Sequence, residues 1–297
     1  MKVLLMDLDI ITQRRPFPNL TLMKLSAYHK ARGDEVLFNF PLGQPDITYT
    51  SCVFTWNAKR RVGLPPDAIV GGSGINLKAE LPPEVEHIMP DYSLYPSVDF
   101  SLGFTSRGCI RRCPWCIVPE KEGRIKPWAS IHEFWDQRHK KIVLLDNNLL
   151  AAPNWREVFA ELFTIGVEVD FNQGLDIRLV DDEIAFYLSK VNARTLRFAF
   201  DHISYELSVR QGISLLVKRG ISPSKLSFYV LVGFGGDETA LERMKLLSSY
   251  KVDVYPMLYK DHDGREPELS EKLTETIFWR GGRSNLKKFL RVAGRLP

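Results

Sequence analysis

Three of the four cysteines of this 297-residue chain fall within eight residues, Cys109-Ile110-Arg111-Arg112-Cys113-Pro114-Trp115-Cys116. A C-x3-C-x2-C loop is wide enough to set three thiolates around one face of a cubane iron-sulfur cluster, leaving the fourth iron without a protein ligand. An iron left open in this way can take a substrate or a cofactor. The competing reading is a zinc knuckle, in which three cysteines and a histidine close a tetrahedral site. His132 and His139 follow, but sixteen and twenty-three residues beyond Cys116, on a stretch that reads as a helix and not at knuckle spacing.

The flanks place this loop. Residues 99–105 alternate and read as a strand, and Arg107-Gly108 turns the chain out of it. The cysteines therefore fall just past a strand's carboxyl end, where α/β proteins carry their chemistry. From there strand and helix alternate six times. The predicted strands are 99–105, 141–145, 167–172, 195–200, 226–232 and 252–259. Helices are predicted near 130–139, 153–165, 181–190, 203–219 and 237–250, with two more near 268–279 and 283–293. Ser130, Asp181 and Asp237 stand at expected N-termini, and Gly166 and Gly220 just past expected C-termini. Six parallel units of this kind make a partial (β/α)6 barrel of the TIM type over residues 98–297.

A smaller α/β pattern precedes it. Strands are predicted at 2–8, 35–40, 46–55 and 68–70, with a helix over 18–33 that sets Leu22, Leu25 and Tyr28 at helical spacing and ends at Gly33. Together they predict a small doubly wound, Rossmann-like sheet. The run Gly71-Gly72-Ser73-Gly74 neither opens the first βα unit nor leads into an evident helix, so it reads as a tight turn and not as a dinucleotide site. Pro82, Pro83, Pro90 and Pro96 then break the chain, and residues 80–95 read as a linker with at most one helical turn. The expected domains are 1–97 and 98–297.

With 44% hydrophobic and 26% charged residues the composition is that of an ordinary globular protein, and no apolar run reaches the roughly 18 residues of a membrane span. The N-terminus is charged within seven residues and reads as a first strand, not a signal peptide. Clustered cysteines argue against a disulfide framework and for a reducing cytoplasm. A net charge of +4, from 40 basic and 36 acidic residues, permits a nucleic-acid partner without arguing for one.

The cysteine spacing, with the aromatic Trp115 just before the last cysteine, resembles the signature of the radical S-adenosylmethionine (radical SAM) enzymes. That resemblance implies a [4Fe-4S] cluster on Cys109, Cys113 and Cys116, with S-adenosylmethionine chelating the open iron. It also implies reductive cleavage to a 5'-deoxyadenosyl radical, hydrogen abstraction from an unidentified substrate, and a reductant such as flavodoxin or ferredoxin. The order of domains is similar to the branch with an N-terminal cobalamin-binding domain, which makes a cobalamin-dependent methyltransferase the near alternative. That branch's Asp-x-His-x-x-Gly motif does not occur, and His29 and His87 are the only histidines of the region. Cobalamin would be held without a histidine ligand, or the domain is a relic. A non-catalytic zinc-binding interaction protein is the third reading. Cys52 alone cannot hold a second cluster, which disfavours methylthiotransferases and other branches that need three further cysteines.

The resemblance also assigns expectations to the strand ends. Asp146, Asn147 and Asn148 follow the second strand of the expected barrel, where the family holds the methionine amino group. Gln173 and Arg178 follow the third, where Arg178 resembles an arginine that pairs with rim carboxylates. Asp201-His202 follows the fourth, near the expected ribose. Gly233-Phe234-Gly235-Gly236 follows the fifth, where close backbone approach to adenine is expected, and Asp261-His262-Asp263 follows the sixth. Trp115 joins Asp146, Asn147, Gln173, Arg178, Asp201 and Gly233 as the cofactor-binding set. The plainer alternative for Asp146 and Asp201 is that they cap the next turn. Arg107, Arg111 and Arg112 surround the cysteine loop and are expected to raise the cluster's potential or to form a docking face for an acidic electron donor, the plainer alternative being a solvated basic loop.

Overall fold

The computed structural model describes residues 1–10, 17–40, 43–61, 64–236, 239–261 and 263–270. The apolar start of the chain forms β1 (Lys2–Asp7), with Val3, Leu4 and Leu5 buried. Asn19 caps α1 (Leu20–Ala31), its side-chain oxygen accepting from the Leu22 N–H that the first turn leaves unpaired. β2 (Glu35–Phe38), β3 (Ile47–Ser51) and β4 (Ile69–Gly71) complete a parallel sheet in the order β2-β1-β3-β4. A 3-10 turn (Thr55–Arg61) stands where a crossover helix would join β3 to β4. The glycine run has a steric cause: a Cβ on Gly72 or Gly74 would come within 2.3 or 2.7 Å of the backbone of Cys52 or Phe54.

Residues 80–95 are a packed bridge. They contain one helical turn, α2 (Pro83–Glu86), and a 3-10 turn at Tyr92–Leu94. Val85, Tyr92, Leu94 and Tyr95 share a core with Leu5 and Leu22 on one side and Leu102 and Val143 on the other. Polar contacts pin the bridge as well. Lys24 Nζ lies 2.8 Å from Glu86 Oε1, the Trp128 indole donates to the same oxygen at 3.1 Å, and the Tyr95 hydroxyl donates to the buried Asp7 carboxylate at 2.6 Å.

β5 (Ser101–Gly103) then leads into an antiparallel pair, β6 (Ser106–Arg107) and β7 (Lys126–Pro127), which encloses the cysteines and the short helix α3 (Val118–Lys121). Strands β8 (Lys141–Leu144), β9 (Glu168–Phe171), β10 (Leu196–Ala199), β11 (Leu226–Val232) and β12 (Asp253–Leu258) alternate with helices α4 (Trp155–Ile165), α5 (Asp182–Lys190), α6 (Glu206–Lys218) and α7 (Ala240–Ser249). They form two parallel sheets, β5-β8-β9 and β10-β11-β12. A bridge between Leu175 and Phe198, with the Leu175 N–H donating to Arg197 O at 2.7 Å, connects them. All six parallel strands thus follow one another in chain order, and among the described residues they do not close into a barrel. Their inward side chains, Phe171, Phe198 and Phe228 among them, form the main core with α4 to α7.

The helix expected over 130–139 is one 3-10 turn, Ile131–Glu133. Its capping box is present, Ser130 and Glu133 bonding each other's backbone N–H, yet the chain leaves the helix at Phe134. Beyond it the Asp136 N–H donates to Ser101 Oγ on β5 and the Asp136 carboxylate accepts from Arg138, so one long-range and one local side-chain bond replace the next helical turn. Residues 271–279 of the helix expected near 268–279, the helix expected near 283–293, the Asp237 cap and His262 lie outside the described residues, and residues 268–270 are not helical. No helix among the described residues is long and apolar enough to cross a membrane.

Tyr95→Phe removes one of the donors that offset burial of the Asp7 carboxylate and should lower unfolding free energy by about 1–3 kcal/mol. Urea denaturation checks this, and an unchanged midpoint would show that the bridge is not held through Asp7.

Candidate metal centre

The parallel strands bring the loops that follow them to one edge, and the cysteine loop lies at that edge. Its root is fixed by Asp146, just past β8. The Asp146 carboxylate is 4% exposed and accepts from the Thr105 N–H and hydroxyl and from the Ser106 N–H and hydroxyl, the hydroxyls at 2.7 and 2.6 Å. Burial pushes its pKa up, against the pull of those four donors. Asp146 therefore faces the chain entering the loop.

Glu122 closes the loop from its other side. Its carboxylate accepts from the Gly108 N–H at 2.9 Å and from Asn147 Nδ2 at 2.6 Å, and pairs with Arg107 at 3.2 Å. Gly108 has φ +84°, and a Cβ there would meet Arg124 O at 2.4 Å, so only glycine fits where β6 hands over to the loop. The Cys109 N–H donates to Gly123 O at 3.2 Å and the Cys116 N–H to Cys113 O at 3.0 Å. All three cysteines are free thiols, with Cys109 and Cys113 half-buried and Cys116 exposed.

A second carboxylate organises the space beside them. Asp176, after β9, accepts from Arg178 Nε at 2.6 Å and from Arg111 Nε at 3.0 Å. Burial would raise its pKa, but the bonds and charges of Arg178 and Arg111 outweigh this and hold it below the ordinary aspartate range. Asn148 is buried with Nδ2 3.4 Å from both Cys109 Sγ and Asp176 Oδ2, and the Arg111 N–H donates to Cys109 Sγ at 3.3 Å. Asn148 Oδ1 has no hydrogen-bond partner among the described residues. Burial raises the Cys113 and Cys116 thiols, the Arg178 charge opposes this at Cys113, and each of the two also feels Cys109 electrostatically.

The predicted site residues divide between this edge and the framework behind it. Trp115 stands edge-on to Phe234 at 5.4 Å, and its side chain draws the Asp201 pKa down. Asp201 accepts from the Leu231 N–H at 3.2 Å, and burial raises its pKa against that bond and the charges of Arg243 and Arg178. Arg178 also lies over the Tyr205 ring at 4.2 Å. Gln173 is exposed at a turn. Gly233, at φ +85°, permits a close approach, and what approaches is this chain's own Pro267, whose Cγ would lie 2.3 Å from a Cβ. Of the three loop arginines, Arg107 and Arg111 are committed to Glu122 and Asp176, and Arg112 is exposed. Glu122, Asp176 and the bonding of Asn148 to Cys109 were outside the predicted set, because the bonds to Gly108, Arg111 and Cys109 that tie them to the loop span fourteen to sixty-five residues of sequence.

Among the described residues no three His, Cys, Asp or Glu side chains converge as ligands of a single ion would. Thiolates that each bind a different iron of a cubane are spread around its face and need no common point. His139 Nδ1 lies 3.1 Å from Ser101 Oγ at the amino end of β5. Four residues of extended chain, roughly 13 Å, separate Ser101 from Thr105, where the path to the cysteines begins. Three thiols in mutual electrostatic range, with N–H donors already aimed at one sulfur, are a donor set that suits a cluster. No protein-family model matches this chain, and no curated protein matches it.

Because Asp176 is held ionised by its arginines, it stabilises the fold above its unfolded value of 3.8, and that contribution disappears as pH falls through the lower folded value. Asp176→Asn should cost about 2 kcal/mol at neutral pH. The difference from wild type, followed by chemical denaturation, should shrink as pH falls below 3.8; a difference independent of pH would contradict the assignment.

Proposed function

We propose that this chain is a radical SAM enzyme that binds a [4Fe-4S] cluster through Cys109, Cys113 and Cys116, cleaves S-adenosylmethionine reductively and abstracts hydrogen from its substrate. The observation that carries the reading is the setting of the cysteine loop: three free thiols on one pinned loop, at the carboxyl edge of six parallel strands, with Trp115 beside the last of them. On this reading residues 98–297 form a partial barrel, and residues 1–97 a cobalamin-binding-like domain. When bound, the reduced cluster supplies the electron that splits the sulfonium.

The chain's own residues have separable tasks. Asp146 and Glu122 fix the two sides of the loop, so the thiols are presented with little ordering left to do on metal binding. Trp115, edge-on to Phe234, offers an aromatic surface beside the cysteines. Arg178, paired with Asp176, lowers the cost of thiolate formation at Cys113. Exposed Arg112 suits contact with an acidic reductant such as flavodoxin or ferredoxin.

Two observations bear on the alternatives. His29 Nδ1 lies 2.7 Å from Asp34 and its Nε2 3.3 Å from the Tyr49 hydroxyl, while His87 pairs with Glu133 at 2.9 Å. Both histidines of the first domain region are already bonded within the chain, which favours a domain that holds cobalamin without a histidine ligand or holds none. The engagement of His139 at the far end of β5 disfavours a zinc knuckle built from it.

Anaerobic reconstitution should give four irons and four sulfides per chain, and joint replacement of Cys109, Cys113 and Cys116 by Ala should abolish iron binding. After reduction, the protein should convert S-adenosylmethionine to 5'-deoxyadenosine and methionine. Zinc in place of iron, or unchanged iron in the triple variant, would refute the proposal.

A further inference from the structure

Cys109 differs from the other two cysteines in its bonding. Its sulfur accepts from the Arg111 backbone N–H at 3.3 Å and from Asn148 Nδ2 at 3.4 Å. At Cys116 the backbone of Val118 draws the thiol's pKa down against burial. Among the described residues, Asn148 is the side chain whose hydrogen bond reaches a sulfur of the loop.

The orientation of that amide is set electrostatically. Nδ2 also faces Asp176 Oδ2 at 3.4 Å, and Asp176 is held as a carboxylate by Arg111 and Arg178. Turning the amide over would put its oxygen against the carboxylate and the sulfur, two acceptors, so the N–H side must face them. The cost of this choice is visible in the opposite oxygen, Asn148 Oδ1, buried and without a partner among the described residues. Asn148 is also fixed by its backbone, whose carbonyl accepts from the Ala151 N–H at 3.0 Å, and it is 3% exposed.

We infer that Asn148, oriented by Asp176, tunes the reduction potential of the cluster through Cys109; this rests on the iron-sulfur reading above. One-electron reduction makes the cluster and its sulfurs more negative, and an N–H donor to a ligating sulfur stabilises the more negative state. The bond lies in a site where little water screens it, which strengthens its effect. Asn148 therefore raises the midpoint potential and makes the cluster easier for a physiological donor to reduce. Its role is positioning and tuning, distinct from retention, which belongs to the three thiolates.

The test is a redox titration of the anaerobically reconstituted full chain, with Asn148→Leu and Asn148→Ala beside wild type. Leu keeps the volume without a donor, Ala avoids any steric demand, and Asp176 keeps Arg111 and Arg178 in both. Iron and sulfide content should stay at the wild-type level, while the midpoint moves to more negative potential. The expected shift is about tenfold in the reduction equilibrium, or 59 mV for a one-electron couple. Full iron content with an unchanged midpoint in both variants would overturn the inference, and so would loss of the cluster from both folded variants when wild type holds it. A wild-type chain that binds no iron would instead overturn the functional reading, and this inference with it.

Discussion

The Asp146 carboxylate joins the exit of β8 to the exit of β5, and everything that presents the cysteines is built outward from that joint. Burying a carboxylate is costly, and the cost appears as a raised pKa. Thr105 and Ser106 meet it with both their N–H groups and both their hydroxyls. From Ser106 the chain pairs with β7, turns at Gly108 in a conformation reserved for glycine, and reaches Cys109 with its backbone already bonded to Gly123. Without Asp146, the Thr105 and Ser106 donors would be buried and unpaired, at about 1–3 kcal/mol for each such group, and the root of the loop would have no reason to stay where the strands put it.

A second tier of carboxylates acts on what the first has placed. Glu122 ties the loop to Asn147, and Asp176 gathers Arg111, Arg178 and Asn148. The two acids differ from Asp146 in being paired with guanidinium groups, and at Asp176 that pairing more than reverses the effect of burial. These arginines are thus spent on positioning, whereas Arg112 is left exposed beside the cysteines. The Asn148 oxygen, without a partner among the described residues, belongs to the same arrangement, since a buried acceptor without a partner costs about 1–3 kcal/mol and is tolerated where the other end of the amide is needed.

Much of this organisation was legible in the sequence. Each of the six strands predicted from 99 onward overlaps an observed one, and Asp181 and Gly166 cap α5 and α4 as expected, because period and capping are local signals. Local signals also misled. Ser130 and Glu133 form a true capping box, yet the helix ends after one turn because Asp136 bonds Ser101 and Arg138. Proline spacing correctly limited residues 80–95 to one α-helical turn but hid their burial, which depends on Leu22 and Leu102 on either side. The carboxylates were the hardest to read. Asp146 bonds Thr105 and Ser106 forty and more residues earlier, and nothing near Glu122 or Asp176 in sequence announces Gly108 or Arg111.

The central claim is that three thiolates leave one iron of four open to a small molecule. Mössbauer spectroscopy on iron-enriched, reconstituted protein reads this directly. The account predicts one iron distinguishable from the other three, whose spectrum alone shifts when S-adenosylmethionine is added. Four irons that all respond alike, or none that responds, would contradict it.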